Sequence, residues 1–335
     1  MHAQKLTQGL SAVLREENII MGMNTTLSTR RKTLITAAVV LTTVGGIAAT
    51  TIPASAATAT EDTGTLLAAS LRGANEVPVE GGPAAGDRDG VALQFVKVDG
   101  DKVSVAVDWR GTDKPTALHI HQGAKGANGG VKIDFTKLFG SRGKGHSVTG
   151  TVKVKDTALL DALKTDPGSF YANLHTAEFP GGAVRGQLHK VTVASFDFRD
   201  ALDNFQATVV KGKQIYECKP AEGGGHAFAQ RDVSAVLAGR IAHSFVEPNS
   251  GTPQWIAPDG SAVTGAVISR TPNGDGNIPE LDLRATQSGK QRGLLAGTAE
   301  ILRLNTVGGV APAGSCSPGA IVGVPYQADY VFVGS

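Results

Sequence analysis

The chain has 335 residues, with 32 Lys and Arg against 30 Asp and Glu and a formal net charge of +2. This balance excludes a strongly basic nucleic-acid-binding protein, because such proteins carry a clear excess of Lys and Arg. With 43 Gly and only 5% aromatic residues, the composition favours turn-rich β structure over helices. The length predicts about two domains after a processed start.

Residues 1–56 have the pattern of an export signal. The positive segment Met23–Lys32, with Met23 as the expected true start, precedes the apolar stretch Leu34–Thr50. The small residues Ala54–Ala56 then offer a cleavage site. The apolar stretch is short and rich in threonine for a membrane span, so we predict a secreted protein without a transmembrane segment after cleavage. Sec export is favoured, and Arg30-Arg31 leaves the twin-arginine route open.

A linker over residues 57–64 leads to a first domain over residues 65–192. Alternating apolar residues on both sides of Asp99 and Gly100 predict a β-hairpin. Asp156–Lys164 is the one convincing helical segment, with Asp156 as its N-cap. Seven or eight short strands at this spacing predict a Greek-key-like β-sandwich.

Residues 196–335 predict a second, β-rich domain. Its candidate strands, separated by glycine-containing turns, are residues 214–218, 262–269, 280–285, 293–305 and 326–333. Cys218 and Cys316 are the only cysteines, and an exported chain most simply joins them in a disulfide. Closing a loop of about a hundred residues stabilises by up to ~4.7 kcal/mol in the chain-entropy model. Two buried thiols are the alternative.

The histidines of the first domain lie in two predicted strands. Because alternate residues of a strand share a face, His119 and His121 point to one side while Leu118 and Ile120 point to the core. His175 lies on a later strand with the same alternation. Neutral imidazoles suit copper and zinc. The three histidines are therefore candidate ligands of a copper or zinc ion.

Two segments of the first domain resemble a known family. Thr116–Val131 contains the two neighbouring histidines and a glycine-rich turn, and Asn173–Leu188 contains the third histidine. Together they resemble the signature of the CHRD domain, a module named after its occurrence in chordin and also found in secreted bacterial proteins. The resemblance implies a fold and an extracellular compartment, and it assigns no biochemical function.

The histidine pattern is also similar to that of copper/zinc superoxide dismutases, β-sandwiches that hold metal on the outside of the barrel. This resemblance implies copper-ligand roles for His119, His121 and His175 and an anion-guiding role for Arg185. A bridging histidine with a following zinc loop is not found, and His146 is the only candidate for a fourth ligand. A superoxide-dismutase-like oxidoreductase is therefore an alternative to metal binding without turnover.

Five segments span nearly the whole second half and resemble another family. They are Gln214–Cys218, Trp255–Ser261, Gly293–Gly297, Arg303–Pro312 and Val324–Tyr330. They are similar to the domain of unknown function number 3455, an uncharacterised family of secreted bacterial and fungal domains. The family carries no assigned activity that the resemblance could transfer.

These motifs also have structural interpretations. The three histidines can hydrogen-bond the backbone of neighbouring loops and hold the glycine-rich turns that follow them. Glu76, Asp87 and Asp89 are expected in a solvated loop rather than as a carboxylate pair for sugar hydrolysis.

The scarce aromatic residues of the second half, Trp255, Tyr326 and Tyr330, either build its core or line a glycan groove. We predict an exported two-domain protein with a non-catalytic binding or structural role toward an unknown extracellular ligand. Copper or zinc binding, with or without dismutase activity, and glycan binding are the alternatives.

Overall fold

The computed structural model describes residues 64–139, 145–193 and 196–334. The predicted signal over residues 1–56 and the linker up to residue 63 lie outside the described residues. Strands dominate both halves of the described chain, which confirms the predicted mostly-β fold with two β-rich domains. Both halves belong to one compact unit, Asp62–Ser335.

The first half forms a nine-stranded antiparallel sheet. Its strands are β1 (Thr65–Arg72), β2 (Val91–Asp99), β3 (Lys102–Arg110), β4 (Pro115–Gln122), β5 (Val131–Asp134), β6 (Ser147–Lys153), β7 (Phe170–Thr176), β8 (Val184–Gln187) and β9 (His189–Val191). The helix α1 (Thr157–Thr165) lies between β6 and β7. The Asp156 side chain accepts a hydrogen bond from Leu159 N at 3.0 Å, which confirms the predicted N-cap.

The order of the strands is β5-β4-β7-β8-β1-β2-β3-β6, and β9 also pairs with β1. Strands β3 and β6, and likewise β4 and β7, are neighbours although they are not consecutive in the chain. These connections are Greek-key-like. The pairing of β1 with both β8 and β9 joins the two groups of strands, so that one continuous sheet curves as a half-barrel. The predicted likeness to the superoxide dismutase sandwich stays a prediction.

One face of this sheet carries the core of the first half. Leu118, Ile120 and Leu174 are fully buried there, as the alternation in β4 and β7 predicts. Helix α1 adds Leu160 and Leu163 to the same core. Burying apolar side chains of this size contributes about 1.5–3 kcal/mol each relative to leaving them exposed.

The second half forms a closed eight-stranded barrel. Its strands are β10 (Phe205–Pro220), β11 (His226–Leu237), β12 (Ile241–Phe245), β13 (Pro253–Ile256), β14 (Ala262–Thr271), β15 (Glu280–Gln287), β16 (Thr298–Gly308) and β17 (Ile321–Gly334). Apolar side chains fill much of its interior, among them Val233, Trp255, Leu283, Ile301 and Tyr330. A barrel of this strand number has an interior that side chains fill or that holds one small ligand.

The two cysteines form the predicted disulfide. Cys218 near the end of β10 is joined to Cys316 in the connection between β16 and β17, with a Cα–Cα distance of 5.8 Å. The bridge ties this connection to the wall of the barrel.

The second face of the half-barrel sheet packs against the outside of the barrel. Leu66 and Phe95 of the sheet lie in one buried apolar cluster with Leu302 and Val331 of the barrel. Phe196, in the connection between the halves, packs against Phe95 with ring centroids 5.4 Å apart and the ring planes tilted by 31°. The two halves therefore share an apolar core of their own.

Polar contacts surround this shared core. Arg72 Nη2 lies 2.5 Å from Asp329 Oδ1, and Arg72 Nε donates to Asp329 Oδ2 at 2.7 Å. Ser70 Oγ donates to the same carboxylate at 3.0 Å. In the turn after β4, Lys125 Nζ lies 3.4 Å from Glu280 Oε1 of the barrel. The donors from Arg72 and Ser70 fix the orientation of the buried Asp329 carboxylate.

Candidate metal centre

Three histidines project from the face of the half-barrel that is turned away from its own core. His119 and His121 lie on β4, and His175 lies on the neighbouring strand β7. The antiparallel register sets His119 opposite Asn173 and Ala117 opposite His175. Because alternate residues share a face, the register brings the three imidazoles to one patch of the sheet.

The three rings lie close together. Each offers one nitrogen, and these atoms all lie within 4.8 Å of one another. His119 Nδ1 lies 3.2 Å from His175 Nε2. The ring centroids of His119 and His121 are 5.5 Å apart. The fold therefore assembles the His-x-His pair and the distant histidine into one cluster, which we call the histidine cluster.

The second nitrogen of two of these rings is hydrogen-bonded to a backbone carbonyl. His121 Nδ1 lies 2.9 Å from Gly129 O, and His175 Nδ1 lies 3.1 Å from Pro180 O. A carbonyl oxygen only accepts, so we assign the ring proton to Nδ1 in both residues. The lone pair then lies on Nε2, the nitrogen that each ring offers to the cluster.

The third ring has polar partners on its far side as well. His119 Nε2 lies 3.6 Å from Asp134 Oδ1 and 3.4 Å from Thr136 Oγ1. A proton on Nε2 directed at this carboxylate leaves the lone pair on Nδ1. In metal-binding histidines, the ring nitrogen that does not bind the metal usually donates a hydrogen bond to a carboxylate or carbonyl of this kind.

Burial keeps the cluster uncharged. Burial, together with the neighbouring His175, lowers the pKa of His119 to about 4. Burial also lowers the pKa of His121 and of His175. His121 Nε2 is buried and has no hydrogen-bond partner among the described residues. A buried nitrogen with an unused lone pair is costly unless a ligand satisfies it.

The structural interpretation of the histidines is also supported by these contacts. His121 holds the turn over residues 123–130 through Gly129 O, and His175 holds the following turn through Pro180 O. A Cβ on Gly129 would lie 1.6 Å from Gln122 O, so only glycine fits this approach. Loop support uses one nitrogen of each ring and leaves the other nitrogen for the cluster.

Arg185, the predicted anion-guiding residue, lies behind His121 and is 1% exposed. Its guanidinium carbon lies 3.4 Å from the ring centroid of Tyr171, which stacks on His121. Its Nη2 donates to Ala127 O at 2.8 Å and to Ala124 O at 3.2 Å. These contacts fix the turn that covers His121, and anion guidance stays a prediction.

Glu76 is buried, and the expectation of a solvated loop is wrong at this residue. It is 9% exposed, and its Oε2 accepts a hydrogen bond from Asn173 Nδ2 at 3.4 Å. Burial raises the pKa of Glu76 to about 7, against the opposing effects of Arg185 and Asn173. Asp87 is half-buried and Asp89 is exposed, as expected for the remainder of this loop.

The sequence contains a weak sign of this burial. A Cβ on Gly182 would lie 2.5 Å from Glu76 Oε1, so the glycine makes room for the carboxylate. The glycine pair after Pro180 indicates that another group lies close to the backbone there, but the sequence does not identify that group. Glu76 is therefore the residue near the cluster that sequence reasoning missed.

The three aromatic residues considered for a glycan groove are all buried. Trp255 is 1%, Tyr326 2% and Tyr330 1% exposed, and all three belong to the core inside the barrel. They form no exposed platform on which a sugar ring could stack.

The fold and the histidine cluster define a protein of two β-rich domains with a candidate transition-metal site. Residues 67–188 match the family model of the CHRD domain, and residues 239–334 match that of the protein of unknown function DUF3455. The chain thus contains a CHRD domain followed by a DUF3455 domain, as both resemblances imply. No curated protein and no solved structure matches it.

The CHRD match contains the whole histidine cluster, whereas the DUF3455 match begins after β11. Strands β10 and β11 therefore complete the barrel from residues outside the match. Within residues 64–139, 145–193 and 196–334, none of the helices has the length and apolar character that crossing a membrane requires.

Proposed function

We propose that the CHRD domain binds one copper or zinc ion through His119 Nδ1, His121 Nε2 and His175 Nε2. The observation that carries this proposal is the convergence of three ring nitrogens within 4.8 Å of one another. Their outward nitrogens have partners that orient the rings. Imidazole ligands suit both metals, and affinity rises toward Cu(II) in the first-row series.

Burial supports a binding role rather than turnover. His121 is 9% exposed, and the side chain of His119 is 18% exposed. A substrate therefore has little open surface next to an ion held by these rings. The donors of Arg185 are directed at backbone carbonyls of the covering turn instead of at an incoming anion.

Export belongs to the same proposal. The disulfide and the CHRD domain are consistent with an extracellular protein. The N-terminal sequence supplies the expected signal.

Calorimetric titration of the mature protein with Cu(II) and with Zn(II) tests the proposal. We expect saturable binding of one ion per chain. His119→Ala and His175→Ala should each lower the affinity by at least about 100-fold, which exceeds the 10–100-fold typical of losing an outer hydrogen-bond partner. His146→Ala, which removes an exposed histidine of the same domain, should leave the affinity unchanged.

Heat that does not saturate, or saturation that survives both cluster variants, would overturn the metal site. A superoxide assay on the loaded protein separates binding from the dismutase alternative. Turnover that disappears with His119→Ala would replace the binding role by an enzymatic one.

A further inference from the structure

The barrel of the DUF3455 domain has polar groups in its interior as well as apolar ones. On β16, Ile301 and Arg303 share the inward face, while Leu302 faces the half-barrel sheet. The register sets Arg303 beside Tyr330 on β17, which also points inward. A cationic side chain is therefore held inside an otherwise mostly apolar lumen.

Arg303 has no acidic partner among the residues that the structure describes. It is 9% exposed, and its Nε and Nη2 donate to Pro279 O at 3.2 and 2.8 Å. Among the described residues, no carboxylate forms an ion pair with it. An arginine cannot release its charge by deprotonation, and a buried charge without a counter-ion is costly. The interior therefore favours a negatively charged guest.

Two further donors in the barrel are unpaired. Gln214 and Trp255 are each 1% exposed, and Gln214 Nε2 and Trp255 Nε1 have no hydrogen-bond partner among the described residues. Gln230 donates to Gln214 Oε1 at 2.7 Å, which leaves the amide nitrogen of Gln214 for another acceptor. Both unpaired atoms are N–H donors and call for an acceptor.

These groups line one small cavity of about 60 Å³ together with His243, Arg270 and Tyr330. An ordered water needs about 10–15 Å³ in the same measure, so a guest of a few non-hydrogen atoms fits. Of the described residues, two arginines and no carboxylate line the cavity. Arg270 is exposed, so it adds positive charge on the solvent side of the cavity.

Aromatic rings form one wall of the cavity. The ring of His243 stacks on Trp255 with centroids 4.4 Å apart, and Tyr330 meets Trp255 edge-on at 5.5 Å. His243 Nδ1 lies 2.9 Å from Gln254 O, and burial lowers the pKa of His243 to about 3, so this ring is neutral. An alkyl group can pack against this aromatic wall.

We propose that the DUF3455 barrel binds a small organic carboxylate of a few carbon atoms. Arg303 supplies the counter-charge, Gln214 and Trp255 donate hydrogen bonds to the carboxylate oxygens, and the aromatic wall contacts the alkyl group. The site is separate from the histidine cluster and does not depend on the proposed metal.

Trp255 makes the site directly observable. The chain has two tryptophans, so the full-length Trp109→Phe variant reports fluorescence from Trp255 alone. This variant is titrated with propionate, with the uncharged isostere propionamide, and with sodium chloride at matched ionic strength. We expect a saturable change with propionate and none with propionamide or chloride.

In the same background, Arg303→Gln should weaken propionate binding by at least about tenfold, since it removes a buried charge-assisted hydrogen bond. Arg284→Gln is the matched control, because Arg284 is exposed. Gln214→Leu, which keeps the charge and removes a donor, gives a second test if Arg303→Gln does not fold. Circular dichroism verifies folding of each variant.

An equal response to propionamide or chloride would overturn the carboxylate assignment. A lack of saturation, or unchanged affinity in a folded Arg303→Gln or Gln214→Leu variant, would overturn the site. His119→Ala should leave the propionate titration unchanged, so failure of the metal proposal remains distinguishable from failure here.

Discussion

At the scale of single residues, each ring of the histidine cluster has a polar partner on its outer side and turns its other nitrogen toward the cluster. His121 shows this most clearly, because Nδ1 contacts Gly129 O at 2.9 Å while Nε2 is buried without a partner among the described residues. The carbonyl fixes both the tautomer and the plane of the ring. The turn is therefore part of the candidate site although it supplies no ligand.

Gly129→Ala tests this dependence. Its Cβ would meet Gln122 O at 1.6 Å, so the turn must move and the contact with His121 is lost. We expect metal affinity to fall by about 10–100-fold and the free energy of unfolding to fall by about 1–3 kcal/mol. Calorimetric titration and urea unfolding measure the two effects.

Gly130→Ala is the matched control for this variant. A Cβ at that position has no atom within 4 Å, so both quantities should stay near those of the unmodified protein. Equal losses in the two variants would show that the turn tolerates no side chain at all, and would remove the specific role of Gly129.

Glu76 gives a prediction of pH dependence. The folded protein retains the Glu76 proton up to about pH 7, whereas the unfolded chain releases it near the ordinary value of 4.5. The contribution of Glu76 to stability is therefore full below about pH 4.5 and is lost as pH rises to 7. Glu76→Gln should raise the free energy of unfolding at pH 8 by up to roughly 3 kcal/mol.

Urea unfolding at pH 5 and at pH 8 measures this effect, and the gain of Glu76→Gln should be clearly smaller at pH 5. Glu80→Gln is the control, because Glu80 is exposed in the same loop. A loss of stability at both pH values would mean that the amide does not fit the space left by Gly182, and that the buried charge is not the dominant cost.

At the scale of elements, alternation in the sequence predicted the strands that have one face on a core. The hairpin predicted at Asp99-Gly100 is present, with Asp99 opposite Lys102 and a φ of 55° at Gly100. By contrast, β11 was not predicted. Its first residues, His226–Arg231, are all exposed or half-buried, so the sequence shows no alternation of buried apolar residues there.

The positions of the three histidines in the candidate site were predictable from the sequence, but their outer hydrogen-bond partners were not. The spacing of His119 and His121 sets them on one face, and the predicted strand around His175 supplies the third ring. Their outer partners, Gly129 O and Pro180 O, are backbone carbonyls, which leave no mark in the sequence. Glu76 was missed because burial of a loop residue depends on segments that are distant in the chain.

The disulfide gives a prediction at this scale. Cys218 on β10 and Cys316 are 98 residues apart in sequence, so the bridge strongly restricts the unfolded chain. The Cys218→Ala/Cys316→Ala double variant should lose about 2–5 kcal/mol of unfolding free energy. Urea unfolding measures the loss. Reductant should lower the stability of the unmodified protein and leave the double variant unchanged, and an effect on both would point to a cause other than the bridge.

At the scale of the whole molecule, the two domains are joined by a buried interface rather than by a linker alone. Arg72 contacts Asp329, whose side chain is 2% exposed, and Phe95 packs in one cluster with Leu302 and Val331. Because these contacts are lost together when either domain unfolds, we expect one cooperative transition for both.

Asp329→Asn tests this coupling. Removing one partner of a fully buried ion pair costs about 3–5 kcal/mol, and the cost here should be smaller because the Arg72 side chain is 24% exposed. Trp109 and Trp255 lie in different domains, so Trp255→Phe and Trp109→Phe backgrounds report the two transitions separately. Both transitions should shift together in Asp329→Asn. The control is Asp197→Asn, in the exposed ion pair with Arg199, which should leave both unfolding transitions unchanged. A shift in the barrel signal alone would show that the domains unfold independently.

The shared apolar interface has a practical consequence for dissecting the protein. A truncation between the domains would uncover Leu66, Ala68 and Phe95 on one fragment and Leu302 and Val331 on the other. Each fragment would expose a contiguous apolar patch to water and would self-associate or precipitate. Ligand screens on isolated fragments would therefore detect aggregation, and ligand binding is better measured on the intact two-domain chain.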